Sequence, residues 1–156
     1  MLDQIRRFFD DVIQRSTGND AFDRDHAMRC ASAALMLEMT HLEAKPSAAL
    51  GRELVAALVR EDFDLSAEEA EALLSCADAE RRDATDYFQF TRLINDHFSA
   101  EEKISLIESL WRVAYADQRL SSLEEHLVRK VAELIYVPHA AFISAKHRAE
   151  AGAGDA

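Results

Sequence analysis

Glycine and proline are scarce in this sequence, with four and two residues respectively in a chain of 156. Folds built from many strands need turns that these two residues supply, so their scarcity disfavours a β fold and favours helices. The length suits one domain, and the composition, with 49% apolar and 30% charged residues, is that of a globular protein. We therefore expect a single, mainly helical domain.

Long apolar runs are also missing. No segment approaches the roughly 20 apolar residues that a membrane-spanning helix needs. Charged residues interrupt the N-terminal stretch MLDQIRRFFDDVIQR, where a signal peptide would be apolar. These absences predict a cytoplasmic protein without an integral membrane segment. Peripheral association with a membrane and the oligomeric state stay open.

Cysteine is rare, and its two copies, Cys30 and Cys76, lack the CxxC spacing of redox and zinc motifs. Both fall within helical patterns, which predicts reduced, partly buried thiols that behave as small apolar residues. The six histidines form neither HExxH nor a paired Cys/His motif. The histidines therefore provide no recognisable zinc motif.

Positive charge is in deficit, because 18 Lys and Arg face 29 Asp and Glu and leave a net charge of −11. An acidic surface opposes binding to phosphate backbones, so nucleic acid is excluded as a partner. Much of the negative charge lies between Glu61 and Asp83. This stretch is either a solvated helix face or a docking surface for a basic protein partner or for cations.

Apolar residues recur at spacings of three and four through most of the chain, which predicts seven to eight helices in an all-α fold. Ser66, Ser99 and Ser121 are each followed by Glu three residues later, the pattern of a capping box that opens a helix. We expect an N-terminal helix and linker over residues 1–20, the helical domain over residues 21–150 and a disordered tail over residues 151–156. The last helix should begin at Pro138 and end near Arg148.

The chain contains an internal repeat. Leu35–Val59 can be aligned with Ser109–Glu133 at an offset of about 74 residues, mainly on apolar register. The alignment pairs Glu43 of the first copy with Asp117 of the second. Two similar halves are therefore expected.

The central stretch Leu110–Ile135 reads as two amphipathic helices that meet at an acidic turn, Ala116-Asp117-Gln118-Arg119-Leu120-Ser121. Here the sequence resembles the TerB-like family associated with tellurite resistance, whose hallmark is an Ala-Asp-Gly turn with a Glu seven residues past the Asp. Asp117 and Glu124 have that spacing, although Gln118 replaces the Gly. The resemblance extends over most of the chain and is strongest from Trp111 to Val137. It implies a compact helical domain with a role in tellurite resistance or stress response, as a binder of divalent metal or as a scaffold at the membrane face.

Two interpretations of the acidic turn stay open. Asp117 and Glu124, helped by Glu43 or Glu125, would hold a divalent ion, with Ca²⁺, Mg²⁺, Mn²⁺ and Zn²⁺ undecided. Alternatively Glu124 is only the third residue of a helix capped by Ser121, and the protein is a helical interaction module or scaffold without metal. The sequence has no Gly-rich phosphate loop, no GxSxG motif and no nucleophile with a matching base, so we expect no enzyme.

Overall fold

A computed structural model describes residues 20–42, 48–84, 87–116 and 121–154. These ranges contain seven α-helices and no β-strand, which confirms the all-α prediction. The helices are α1 (Asp20–Thr40), α2 (Ala48–Phe63), α3 (Ala67–Asp83), α4 (Phe88–His97), α5 (Ala100–Ala114), α6 (Ser122–Leu134) and α7 (His139–Gly154). The predicted helix over residues 2–15 lies outside the described residues.

Three helices begin as their sequences predicted. In α3, α5 and α6 the hydroxyl of the capping serine accepts from a backbone amide three residues on, and the Glu at that position accepts from the serine amide. All three capping boxes are thus confirmed. At the other end of the chain α7 continues to Gly154, past the predicted end near Arg148. Residues 151–154, predicted as part of a disordered tail, are therefore helical.

Helix α1 forms the centre of the core. Every residue from Cys30 to Leu37 is buried, and α1 packs against α2, α3, α4 and α5. Alanine at positions 31, 33 and 34 lets these neighbours approach closely on several sides. None of the helices in the described ranges combines the length and apolar character needed to cross a membrane.

The internal repeat is visible in the arrangement of the helices. The first unit consists of α1, α2 and α3, and the second of α5, α6 and α7. The ends of α1 and α5, and the starts of α2 and α6, are each separated by 74 residues. In each unit the first helix packs more extensively against the third than against the second. The two similar halves predicted from apolar register are thus confirmed as two three-helix units with α4 between them.

Helices α1 and α2 approach each other closely at Gly51. A Cβ atom built on Gly51 would lie 2.8 Å from Cγ2 and 3.2 Å from Cβ of Thr40. Thr40 is held in place because its hydroxyl donates a hydrogen bond of 2.7 Å to the carbonyl of Leu37. The absence of a side chain at position 51 therefore sets the distance between the two helices.

Gly51→Ala is expected to lower the free energy of unfolding by about 1 to 3 kcal/mol, since overpacking outweighs the gain of about 1 kcal/mol in helix propensity. Thr40→Ser removes the clashing methyl group and keeps the hydroxyl, so adding it to Gly51→Ala should restore most of the loss. Urea denaturation of both single variants and the double variant measures this coupling. A stabilised Gly51→Ala variant would show that the close approach is not the constraint.

Candidate metal centre

A carboxyl group lies in the core on the buried face of α3. The apolar residues of that face follow helical spacing and end in an acid; they are Ala70, Leu73, Leu74, Ala77 and then Glu80. Glu80 is only 2% exposed. Because α3 packs on the central helix α1, the side chain of Glu80 points towards α1 rather than towards solvent.

Two thiols meet this carboxyl group. Sγ of Cys30, on α1, lies 3.2 Å from Oε2 of Glu80 and 3.6 Å from Sγ of Cys76, on α3. One ligand atom from each of the three residues lies within 4.8 Å of the other two. Both thiols are free; Cys30 is fully buried and Cys76 is partly buried. The predicted partial burial holds for Cys76, whereas Cys30 is fully buried, and the proximity of the two thiols to each other and to an acid was not predicted.

The three groups perturb one another's protonation. Burial raises the pKa of Glu80 to about 8, although the hydrogen bond from Cys30 acts in the opposite direction. The hydrogen bond that Cys30 donates to Cys76, together with burial, raises the pKa of Cys30. The same hydrogen bond lowers the pKa of Cys76, because its sulfur is the acceptor. Their hydrogen bond thus shifts the pKa values of the two thiols in opposite directions.

The carboxyl group of Glu80 is incompletely satisfied. Its Oε1 atom is buried and has no hydrogen-bond partner within the described part of the chain. The adjacent cation Arg81 does not compensate for it, since its guanidinium pairs with Glu38 at 3.2 Å and Asp78 at 3.0 Å. A buried acceptor without a partner is costly, and such groups often mark a site for an ion or a ligand.

Most of the acidic stretch between Glu61 and Asp83 lies at the surface, as the sequence indicated. Part of its charge is paired, for example between Glu71 and Arg52 at 2.8 Å. Glu80 is the exception, because it is buried beside the two thiols. The interpretation of this stretch as a solvated or docking face therefore does not apply to Glu80.

The acidic turn is only partly described. Asp117 and Glu43 lie outside the described residues, so their predicted convergence on Glu124 stays a prediction. Glu124 is 3% exposed, and its Oε1 accepts a hydrogen bond of 3.3 Å from the amide of Ser121. Glu125 is partly exposed and accepts a bond of 3.3 Å from Arg129, one turn further along α6. The capping role of Glu124 is thus confirmed, while a metal role for these acids stays a prediction.

The spacing of Cys76 and Glu80 could have indicated this centre. Residues four apart share one face of a helix, and Glu80 continues the apolar stripe of α3 where a surface acid would not. The third member could not be identified in this way, because Cys30 is separated from Cys76 by 46 residues and belongs to another helix. Only the packing of α1 on α3 brings the two sulfur atoms together.

Comparison with known proteins identifies the family. Searches of curated proteins and of solved structures returned no match. A family model described as "Tellurite resistance protein TerB" matches residues 29–147, which include Cys30, Cys76, Glu80 and the acidic turn. This match covers well over half of the sequence and agrees with the resemblance at the acidic turn, so the chain belongs to the TerB family.

Proposed function

We propose that this TerB-family chain is a non-enzymatic protein that binds a divalent metal ion, with Cys30, Cys76 and Glu80 as ligands. The observation that carries the proposal is the convergence of two sulfur atoms and a carboxylate oxygen within 4.8 Å of one another. Because Cys30 is fully buried, the centre suits a bound ion better than a reaction with an incoming substrate.

The spacing of the ligand atoms suits zinc. With Zn–S bonds of about 2.3 Å and Zn–O bonds of about 2.1 Å, tetrahedral geometry places two sulfur ligands about 3.8 Å apart and sulfur and oxygen about 3.6 Å apart. The observed separations are 3.6 Å between the sulfur atoms and 3.2 Å between Cys30 and Glu80. Shifts of a few tenths of an ångström would therefore accommodate the ion.

The ligand types favour zinc over the other ions considered. Thiolates are soft ligands that suit Zn²⁺, whereas Ca²⁺ and Mg²⁺ need six or more oxygen atoms. Three protein ligands leave one tetrahedral position for water or for a small ligand. The partly exposed side of Cys76 offers the route by which such a group and the ion would enter.

The energetic cost of Glu80 supports a role in binding. Without metal the buried carboxyl group must be kept protonated near neutral pH, and one of its oxygen atoms lacks a partner among the described residues. An apolar residue of similar size would avoid both costs. Residues that lower stability in this way are typical of functional sites. A bound cation would ionise the carboxyl group and provide the missing partner.

The acidic turn is a second candidate site for a hard ion such as Ca²⁺, formed by Asp117 and Glu124 with Glu43 or Glu125. Burial of Glu124 beside the turn is compatible with this role, but the capping box accounts for the same burial. The two sites differ in ligand chemistry, so the ions that they prefer also differ.

A protein partner is the alternative function. The exposed acids of the stretch Glu61–Asp83, among them Glu61, Glu68 and Glu69, would meet a basic surface. This function would need no metal, and ion binding therefore distinguishes it from the first proposal.

Zinc is expected to raise the melting temperature of the reduced, chelator-treated chain by several degrees. Binding at a hundredfold excess over the dissociation constant adds about 2.7 kcal/mol to the free energy of unfolding. Cys76→Ser and Glu80→Gln should each weaken this response, and Co²⁺ in place of Zn²⁺ should show the thiolate charge-transfer absorption of a tetrahedral site. Thermal melts and Co²⁺ absorption spectra provide the measurements.

Two control variants make this experiment specific. Glu71→Gln removes an exposed acid from the same helix and should respond to zinc as the unchanged chain does. Glu124→Gln removes the acidic turn's buried carboxylate and should also keep the zinc response. Equal zinc stabilisation of Cys76→Ser and the unchanged chain would contradict the proposal. Stabilisation by Ca²⁺ that only Glu124→Gln abolishes would move the site to the acidic turn.

The metal-free chain should lose stability as the pH rises from about 5 to about 8, through the contribution of Glu80. Its folded-state pKa of about 8 lies above the ordinary value of 4.5, so the folded state retains a proton that the unfolded chain has released. Glu80 then lowers the free energy of unfolding by up to about 1.4 kcal/mol per pH unit, and the effect levels off above the folded-state pKa.

The contribution of Glu80 is measured by urea denaturation between about pH 5 and about pH 8. The reduced, chelator-treated chain is compared with Glu80→Gln. The difference in stability between the two should grow with pH in favour of Glu80→Gln, because the amide carries no titrating proton. Glu71→Gln should show no such trend. A difference that is the same at every pH would contradict the raised pKa of Glu80.

A further inference from the structure

The two sulfur atoms of the proposed metal centre are also close enough to react with each other. Sγ of Cys30 and Sγ of Cys76 are 3.6 Å apart, and a disulfide requires about 2.0 Å. A closure of about 1.6 Å needs rotation of both side chains and a small adjustment of α1 against α3. The thiol of Cys30 hydrogen-bonds directly to Cys76, so no side chain of the described residues separates the two sulfur atoms.

We propose that Cys30 and Cys76 form a reversible disulfide on reaction with a hydroperoxide, and that this disulfide excludes the metal ion from the centre. The exclusion of the metal ion rests on the proposed function, whereas the formation of the disulfide is argued from the sulfur geometry alone. The centre would then bind metal only in its reduced form. Oxidation would release the ion.

The two thiols differ in access, which assigns them different roles. Cys76 is partly exposed and can meet a peroxide, whereas Cys30 has no exposed surface and cannot. The thiolate of Cys76 attacks one peroxide oxygen, the O–O bond breaks, and the leaving oxygen takes a proton to form water or an alcohol. Cys76 is then a sulfenic acid. Its reaction partner, Cys30, is already in contact with it.

The second step forms the disulfide. The sulfur of Cys30 attacks the sulfur of Cys76, the S–O bond breaks, and the departing hydroxide takes the proton of Cys30 to form water. In total two thiols and one hydroperoxide give one disulfide, one alcohol or water, and one further water. The peroxide is reduced by two electrons and the cysteine pair is oxidised by two, so no other reductant is needed.

Loss of metal follows from the change in the ligands. Each thiolate offers a negatively charged sulfur to the ion, whereas a disulfide sulfur is neutral and binds metal weakly. Only Glu80 would remain as a charged ligand within the described centre. A single carboxylate does not hold Zn²⁺ firmly, so the ion leaves as the disulfide forms.

The experiment compares metal-free and zinc-loaded full-length protein after addition of one equivalent of hydrogen peroxide. Intact mass, thiol titration and a colorimetric zinc indicator report the disulfide, the free thiols and the released ion. We expect both thiols to disappear together with a mass loss of two hydrogen atoms. The zinc-loaded sample should release one equivalent of zinc for each disulfide, and dithiothreitol should reverse both changes.

Three variants sharpen the test. Cys30→Ser should leave Cys76 to gain oxygen instead of forming a disulfide within the chain, because its resolving thiol is gone. Cys76→Ser should leave Cys30 largely unreactive towards peroxide, because Cys30 is buried. Glu80→Gln keeps both sulfur atoms, so it should form the disulfide as the unchanged chain does while binding zinc more weakly.

The outcomes separate this inference from the proposed function. Gain of oxygen on Cys76 in the unchanged chain, without a disulfide, overturns the inference even if zinc binds. An oxidised chain that retains its zinc overturns the exclusion of metal by the disulfide. A metal-free chain that forms the disulfide while the reduced chain binds no zinc supports the pairing of the thiols, and it overturns the proposed function together with the exclusion of metal that rests on it.

Discussion

Burial of the middle of α1, from Cys30 to Leu37, is the constraint on which the other features depend. Four helices pack against it, and from Cys30 to Leu37 no residue reaches the surface. A helix segment in this position presents mainly small or apolar side chains in every direction, and a polar atom placed there needs a partner inside the protein to avoid a cost in stability. The thiol of Cys30 fulfils that requirement with the sulfur of Cys76 and the carboxyl group of Glu80. The chemistry of the candidate centre is thus a consequence of helix packing.

The candidate centre lies in the first of the two three-helix units, and the second unit has no equivalent among the described residues. Helices α3 and α7 occupy equivalent positions in the repeat, yet only α3 carries a buried acid and a thiol against the first helix of its unit. In the second unit the buried face of α7 carries Phe142 and Ala145. The ring centroids of Phe142 and of Trp111 on α5 are 5.2 Å apart. The contact between α5 and α7 is therefore lined by apolar and aromatic side chains, whereas the contact between α1 and α3 accommodates three titratable groups at a cost in stability.

Local features of the fold could be predicted because they are encoded over a few residues. Each capping box depends on a serine and a glutamate three residues apart, and the all-α class depends on apolar spacing within single helices. The position of Cys30 relative to Cys76, 46 residues further along the chain, depends instead on how α1 packs against α3, which no spacing in the sequence reports. At the acidic turn a local pattern is easy to recognise, but its function is ambiguous. Its pattern identified the family, and the structure confirms the cap at Glu124, but the cap and a metal ligand require the same residue type at the same position.

A buried dithiol beside an acid links metal affinity, protonation and oxidation through the same atoms. Metal binding requires the thiolates, the carboxyl group must release its proton to become a ligand, and formation of a disulfide consumes the sulfur ligands. Because Cys30 is fully buried and Cys76 is partly exposed, a reagent from solvent meets Cys76 before it meets Cys30. For the proposed metal binding and oxidation, burial therefore assigns Cys76 as the residue that solvent reaches and places Cys30 and Glu80 behind it.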